Sequence, residues 1–319
     1  MRSLSLLAFT DDSFWMPPPG SSVAPQVDWI FNVLLGVSTF FFVLIVTLMV
    51  VFVFRYRRRP GVVMAAAPSH STTLEIIWSV IPIAIVAFIF YYGLATYMEI
   101  MTQPRNGYDI RVTAQKWNWR FTYPNGHSDG DLHVPVDEPV RLTMSSNDVI
   151  HSFYVPDFRV KMDVVPGRYT KTWFCATGVG EHGLYCTAYC GTGHSDMLAR
   201  VVVQSRADFD KWLSEADKEL NNLPPVERGK RLYEKNRCTQ CHSIDGTRIR
   251  GPSFKGIYGQ RVDFEGGTSG TVDDNYIRES ILDPGAKIVL GYVNEMPTFK
   301  GQLSDDDISA LIEFIKSLK

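Results

Sequence analysis

Twelve residues near the middle of the chain carry four soft donors: the loop C-T-A-Y-C-G-T-G-H-S-D-M holds Cys186, Cys190, His194 and Met197. Thiolate, imidazole and thioether together select copper over magnesium or calcium, and a zinc site does not use methionine readily. A mononuclear blue-copper site needs one thiolate. Two in one loop can bridge two copper ions, and each copper then needs further ligands. A second histidine must come from elsewhere, and His151, in N-D-V-I-H-S-F-Y-V-P, stands upstream at the end of an expected strand.

A second constellation, Cys238, Cys241 and His242, reads C-x-x-C-H, the attachment motif for c-type haem. Its two thiols form thioethers with the haem vinyls, and the adjacent imidazole ligates iron. A zinc knuckle would want a second close ligand pair, which does not follow. The five cysteines are an odd count, against a pure disulfide framework. Cys175 stands alone in an apolar-aromatic strand and is expected to be an inert buried thiol. His127, His133 and His182 cluster with nothing and are expected on the surface or in loops.

The elements that must position these groups follow from patterning. From Tyr108 to Gln204, short alternating or aromatic runs (D-I-R-V-T-A-Q, W-N-W-R-F-T-Y, V-R-L-T-M, R-Y-T-K-T-W-F) are separated by Pro, Gly, Asn and Asp, which predicts a small antiparallel sandwich over residues 99–204. Residues 205–226 are polar, with a helical stretch ending at N-N-L-P-P, and read as a linker. Residues 227–319 form the haem-bearing domain, ending in an amphipathic helix with Ser304 as its N-cap that packs on that domain's N-terminal helix.

Ahead of these lie two uncharged runs, Trp29 to Phe54 and Ile76 to Met98, each long enough to cross a hydrocarbon core of ~30 Å. Pro82 in the second is tolerable in a membrane helix, and Trp29, Trp78, Tyr91, Tyr92 and Tyr97 lie toward the ends, as interfacial aromatics do. The loop between them carries Arg55, Arg57, Arg58 and Arg59, which places it in the cytoplasm and both soluble domains outside. Residues 1–28 read as a short external tail, 29–98 as a transmembrane hairpin. The 319 residues carry a formal net charge of −2, which favours no nucleic-acid partner.

With these motifs assembled, the chain resembles subunit II of cytochrome c oxidase over essentially its whole length, in the type that carries a fused C-terminal cytochrome c domain. C-x3-C-x3-H-x2-M with an upstream His is specific to that family's dinuclear CuA centre, and A-Q-K-W-N-W-R-F-T-Y-P-N-G and F-R-V-K-M-D-V-V-P-G-R are similar to its segments. The resemblance implies a multidomain membrane protein: a two-helix transmembrane hairpin, a cupredoxin-like β-sandwich and an all-α class I cytochrome c domain. It implies His151, Cys186, Cys190, His194, Met197 and the carbonyl of Ala188 as copper ligands, and Met296, in N-E-M-P-T-F, as the sixth ligand of the haem iron. Met64, Met98 and Met101 are too near the membrane to substitute. Pro252, in G-P-S-F, is implied to accept the N–H of His242.

The family has Glu where this chain has Ala188, and that side chain also binds a magnesium ion at the interface with subunit I. A backbone carbonyl survives the change, so the magnesium site must be altered or lost, with Asp163 and Asp157 as conceivable substitutes. Trp117 is implied to lie near the surface over the copper site, where an external cytochrome c hands over an electron; ordinary core is the other reading of the Trp117 and Trp119 pair. Glu75 is implied at the mouth of a proton path, and Lys161 to Asp163 with Arg168 facing subunit I.

The implied function is an electron relay in a respiratory cytochrome c oxidase of the bacterial inner membrane, with the redox domains on the periplasmic side. An electron passes from a cytochrome c or an upstream respiratory complex through haem c and CuA to the oxygen-reducing site of subunit I, coupled to proton translocation, with subunit III alongside. This chain does not contain the oxygen-reducing site, since neither membrane run has a histidine. The alternative is the electron-accepting subunit of a CuA-containing nitric-oxide reductase of the haem-copper superfamily; the discriminator lies in the partner subunit. A nitrous-oxide reductase lacks this hairpin and cytochrome, a quinol oxidase subunit II lacks the copper ligands, and a free-standing carrier would be isolated without a haem-bearing partner.

Overall fold

The computed structural model describes residues 16–61 and 70–319, which fall into two compact units, 22–103 and the remainder. The first fifteen residues of the expected external tail, and Met64, lie outside the described residues.

The smaller unit is a pair of helices, α1 (Ala24–Tyr56) and α2 (Thr72–Met101), each a few residues longer at both ends than its apolar run. Both are long and apolar enough to cross a membrane, and none of their most apolar stretch is buried within the protein. Apolar faces of this extent are stable only against lipid or a partner. Trp29 packs edge-on against Tyr92, with ring centroids 5.0 Å apart, and Pro82 sits inside α2.

The larger unit begins with the sandwich. Its strands are β1 (Tyr108–Gln115), β2 (Asn118–Thr122), β3 (Ser128–Asp129), β4 (Leu132–Pro135), β5 (Pro139–Ser146), β6 (His151–Val155), β7 (Val160–Val164), β8 (Thr170–Cys175), β9 (Gly180–Cys186) and β10 (Leu198–Gln204). One sheet has the order β3-β2-β1-β5-β8, the other β4-β10-β9-β6-β7. The sheets are mixed, where the alternation predicts antiparallel ones: β1 pairs with β5, and β10 with β4, in parallel. Alternation reports which side chains face inward, not strand direction, so it could not reveal these crossovers. Inward residues obey it: Val140, Leu142 and Met144 of β5 are fully buried and alternate with less buried neighbours.

Two local expectations change. Residues 205–226 are more than a spacer, because α3 (Arg206–Asn222), capped by the Ser205 hydroxyl accepting from the Asp208 amide, packs back on the sandwich. Its Phe209 is fully buried, and Trp212 stacks on His133 with ring centroids 3.9 Å apart. His127 is therefore buried rather than superficial, caged by Tyr123 and Trp212. Cutting the chain after Gln204 would expose this surface, so a soluble copper fragment is expected to need residues to Asn222. Phe209→Ala should cost it ~3–5 kcal/mol, measured by denaturant unfolding.

The haem-bearing domain contains α4 (Pro225–Lys235), a ribbon of β11 (Arg261–Asp263) and β12 (Ser269–Thr271), α5 (Asp274–Leu282) and α6 (Asp305–Ser317). Ser304 caps α6 in a reciprocal box with Asp307, and Arg228 of α4 binds Asp307 at 2.6 Å. Helices α4 and α6 approach so closely that a Cβ on Gly229 would fall 2.1 Å from the Ala310 carbonyl oxygen, a contact only glycine allows.

Candidate metal and haem centres

The copper-type site is assembled where β6 and β9 pair. Phe153 lies opposite Cys186, and His151, two residues earlier, shares the face of Phe153 because strand side chains repeat every second residue. The loop from Cys186 returns through a 3-10 turn at His194–Asp196, and the Cys186 amide donates to the Met197 carbonyl at 3.3 Å, closing it. Every expected donor converges. Cys186 Sγ lies 3.8 Å from Cys190 Sγ, 3.9 Å from His151 Nδ1 and 3.2 Å from the Ala188 carbonyl oxygen. Cys190 Sγ lies 3.5 Å from His194 Nδ1 and 3.9 Å from Met197 Sδ.

The sulfur separation far exceeds a disulfide bond of ~2.05 Å, and His151, Cys186, Cys190 and Met197 are all buried. Burial pushes the Cys186 thiol up, but the hydrogen bond with His151 leads a set of contacts that outweigh it, and the thiol falls to about 6. Burial, then the negative charge of Cys186, push Cys190 up to about 12. One proton of the pair thus leaves readily and the second needs a cation to displace it, which fits a soft-metal site.

A residue missed by spacing arguments completes the geometry. Asp148 Oδ1 accepts from His151 Nε2 at 2.8 Å, which leaves Nδ1 facing the thiolates. Its other oxygen accepts the Lys116 amide at 2.7 Å. Burial disfavours a charged His151, yet this carboxylate outweighs it and the imidazole is held above its usual value. The outer partner of a metal-ligating histidine fixes ring orientation, so Asp148→Asn is expected to lower copper affinity by ~10–100-fold in a competitive chelator titration. The N-D-x-x-H spacing, with a carboxylate three residues before the histidine, is the signal for it in the sequence.

In the second domain, α4 ends and a 3-10 turn at Cys238–Gln240 brings both thiols and His242 to one wall of a cavity. Met296, Phe254 and Leu311 line the same cavity. Burial lowers His242 below its usual value, keeping it neutral, and its Nδ1–H donates to the Pro252 carbonyl at 2.8 Å, leaving Nε2 for a metal. A Cβ on Gly251 would come 2.6 Å from the imidazole Cε1, so glycine is required beneath the ring. Burial pushes Cys238 up to about 12. A neutral imidazole held by a carbonyl, two thiols beside it and an apolar cavity with a thioether fit a covalently attached haem. Met296→Leu is expected to keep such a haem but lower its potential, since Met/His ligation raises it; redox titration checks this.

The remaining expected residues are scattered. Glu75 lies in the first turn of α2. Asp157 pairs with His182 at 2.7 Å, and Asp163 accepts from Ser152 and Lys161 at 2.7 and 3.0 Å. Cys175 is half-buried, and burial raises its thiol. Trp117, expected near the surface, is instead only 3 % exposed, because the haem-bearing domain covers it: the indole lines that domain's cavity, and its Nε1 donates to the Cys190 carbonyl at 3.2 Å.

Three family profiles match this chain: the transmembrane domain of cytochrome c oxidase subunit II over residues 10–96, the periplasmic domain of the same subunit over 126–205, and cytochrome c over 226–319. Cytochrome c oxidase subunit 2 of Alkalihalophilus pseudofirmus is 32% identical over 312 residues, covering 92% of this chain and 89% of that one. Alternative cytochrome c oxidase subunit 2 of Bradyrhizobium diazoefficiens is 29% identical over 66% of this chain and 87% of its own length. The solved periplasmic domain of subunit II of cytochrome oxidase from Bradyrhizobium japonicum is 31% identical over 37% of this chain and 99% of that chain, with a TM-score of 0.35. The convergence of soft donors, the C-x-x-C-H cavity and the paired apolar helices agree with the three profiles and with the Alkalihalophilus relative: the chain belongs to the cytochrome c oxidase subunit II family and carries a cytochrome c domain at its C-terminal end.

Proposed function

We propose that this chain relays electrons within a bacterial respiratory cytochrome c oxidase, holding a dinuclear CuA centre on His151, Cys186, Cys190, His194, Met197 and the Ala188 carbonyl, and one covalent haem c on Cys238, Cys241, His242 and Met296. Bound together, these groups supply one-electron chemistry between an external donor and the oxygen-reducing subunit I. The observation that carries the reading is Trp117, whose single indole lines the haem-type cavity and hydrogen-bonds the Cys190 carbonyl.

The chain's own work is to hold and to exclude water. Asp148 and Pro252 each fix the imidazole that faces a metal position. Burial of the thiolate pair and of Met197 keeps solvent from the copper position. Arg55 in the last turn of α1, with Arg57, Arg58 and Arg59 just beyond it, supports a cytoplasmic connection between the helices and both redox domains on the periplasmic side of the inner membrane. Subunits I and III, and a proton path opening near Glu75 that couples transfer to proton translocation, belong to the same reading. Ala188 brings no carboxylate, and Asp157 and Asp163 are engaged elsewhere, so the interface magnesium implied by the resemblance is weakened or absent.

The test is composition of the purified membrane complex. Two coppers and one covalent haem per chain, with further haem in a larger partner, are expected. One copper per chain after full loading, or no haem-bearing partner, contradicts the reading. Turnover with nitric oxide but not oxygen would favour the nitric-oxide reductase alternative.

A further inference from the structure

The cytochrome and copper domains are braced at their edges by Arg237–Asp131 at 2.9 Å and by Gln302, which donates to Gln115 and accepts from Arg120, both at 3.0 Å. Nearer the two centres, three side chains of the haem-bearing domain meet the copper-ligand loop itself: Gln240 donates to the Asp196 carbonyl at 2.8 Å, Glu295 accepts from the Thr192 hydroxyl at 3.0 Å, and Arg250 binds the loop and also lies over Trp117. Arg250 Nη2 donates to Asp196 Oδ2 at 2.6 Å and approaches the Thr192 carbonyl at 3.4 Å. Thr192 lies between Cys190 and His194, and Asp196 directly precedes Met197, so both contacts grip the copper-ligand loop. The guanidinium carbon lies 5.1 Å from the Trp117 ring centroid. A Cβ on Gly193 would fall 2.3 Å from Trp117 Cδ2 and 2.5 Å from Arg250 Nη1, so the loop admits both only because that residue is glycine.

On its other side Arg250 is continuous with the haem loop. The next residue, Gly251, donates its amide to the Cys241 carbonyl at 2.7 Å, and Pro252 accepts from His242 at 2.8 Å. Two residues of backbone therefore separate the grip on the copper loop from the support of the haem histidine. A planar fork that both lies over an indole face and hydrogen-bonds a carboxylate is a geometry lysine cannot reproduce.

We propose that Arg250 is a positioning residue that clamps the haem-bearing loop onto Trp117 and the copper-ligand loop, and so sets the rate of electron transfer inside the chain from haem c to CuA. The inference rests on the relay described above. Tunnelling falls steeply with separation and orientation, and the clamp fixes both, where the edge contacts fix only the general docking of the domains.

The test uses the intact oxidase complex. One electron is injected into the haem with a photosensitiser, and haem reoxidation is followed beside appearance of reduced copper. Arg250→Gln should slow this step by at least about ten-fold, in keeping with the ~100-fold losses that misplacement by about 1 Å produces at other reaction centres. Arg250→Lys should fall between the two. Copper and haem content, the copper paramagnetic spectrum and both midpoint potentials should stay as in the unsubstituted complex. An unchanged rate in Arg250→Gln overturns the proposal. So does a slowdown that comes with lost copper signal, or one that a shift in potentials accounts for. If the unsubstituted complex itself passes no electron from haem to copper, the relay fails and this inference with it; a working wild type beside an unaffected variant removes the inference alone.

Discussion

Cys186→Ser, or Cys190→Ser, is expected to abolish the dinuclear centre rather than weaken it. The two sulfurs are 3.8 Å apart, with one histidine nitrogen beside each at 3.9 and 3.5 Å, so both thiolates would hold the proposed centre. A serine hydroxyl is harder and far less acidic than a thiol, so it neither ionises at neutral pH nor favours copper. With one of the two thiolates gone, the remaining donors would no longer suffice for two coppers. The wild-type fragment from Pro104 to Asn222 should be purple, bind two coppers and show hyperfine splitting from two equivalent ions. Each serine variant should lose that signal and hold one copper or none. Retention of the two-copper spectrum in either variant would remove that cysteine from the ligand set.

The second large effect is loss of covalent haem in Cys238→Ala with Cys241→Ala. Both thiols line the cavity next to His242, and no other described cysteine lies in that cavity. Haem-specific staining of the chain on a denaturing gel should vanish completely. The domain should also lose stability, because its apolar cavity would then be left without its covalently held filling, among Leu311, Ile315 and Phe299. Staining that persists in the double variant would place haem attachment elsewhere.

How legible these sites were depends on how local their determinants are. Cys186 to Met197, and Cys238 to His242, are contiguous, and their donor types alone restrict the metal. His151 could be named because a two-copper site demands a second imidazole. The Ser304 cap and the apolar stripe of α6 follow from local pattern. What sequence could not show lies in long-range packing. Asp148 looks like an ordinary loop carboxylate until β6 turns His151 towards it. Arg250 looks like a solvated charge until the copper loop meets it, 54 residues away along the chain at Asp196. Phe209 and Trp212 sit in a polar stretch and find aromatic partners in Tyr108, Tyr123 and His133, far upstream, so the segment reads as a linker. Trp117 has the composition of a core residue and of a surface one; its burial comes from a second domain folding over it.

The order of electron transfer is most directly read by time-resolved reduction of the purified complex by a single photoinjected electron, monitored separately at the haem c and copper absorption bands. Haem c should be reduced first, and its reoxidation should match the reduction of copper in both rate and stoichiometry, before any haem of subunit I responds. Copper reduced with no haem c precursor, or haem c that stays reduced while subunit I receives the electron, would contradict the relay.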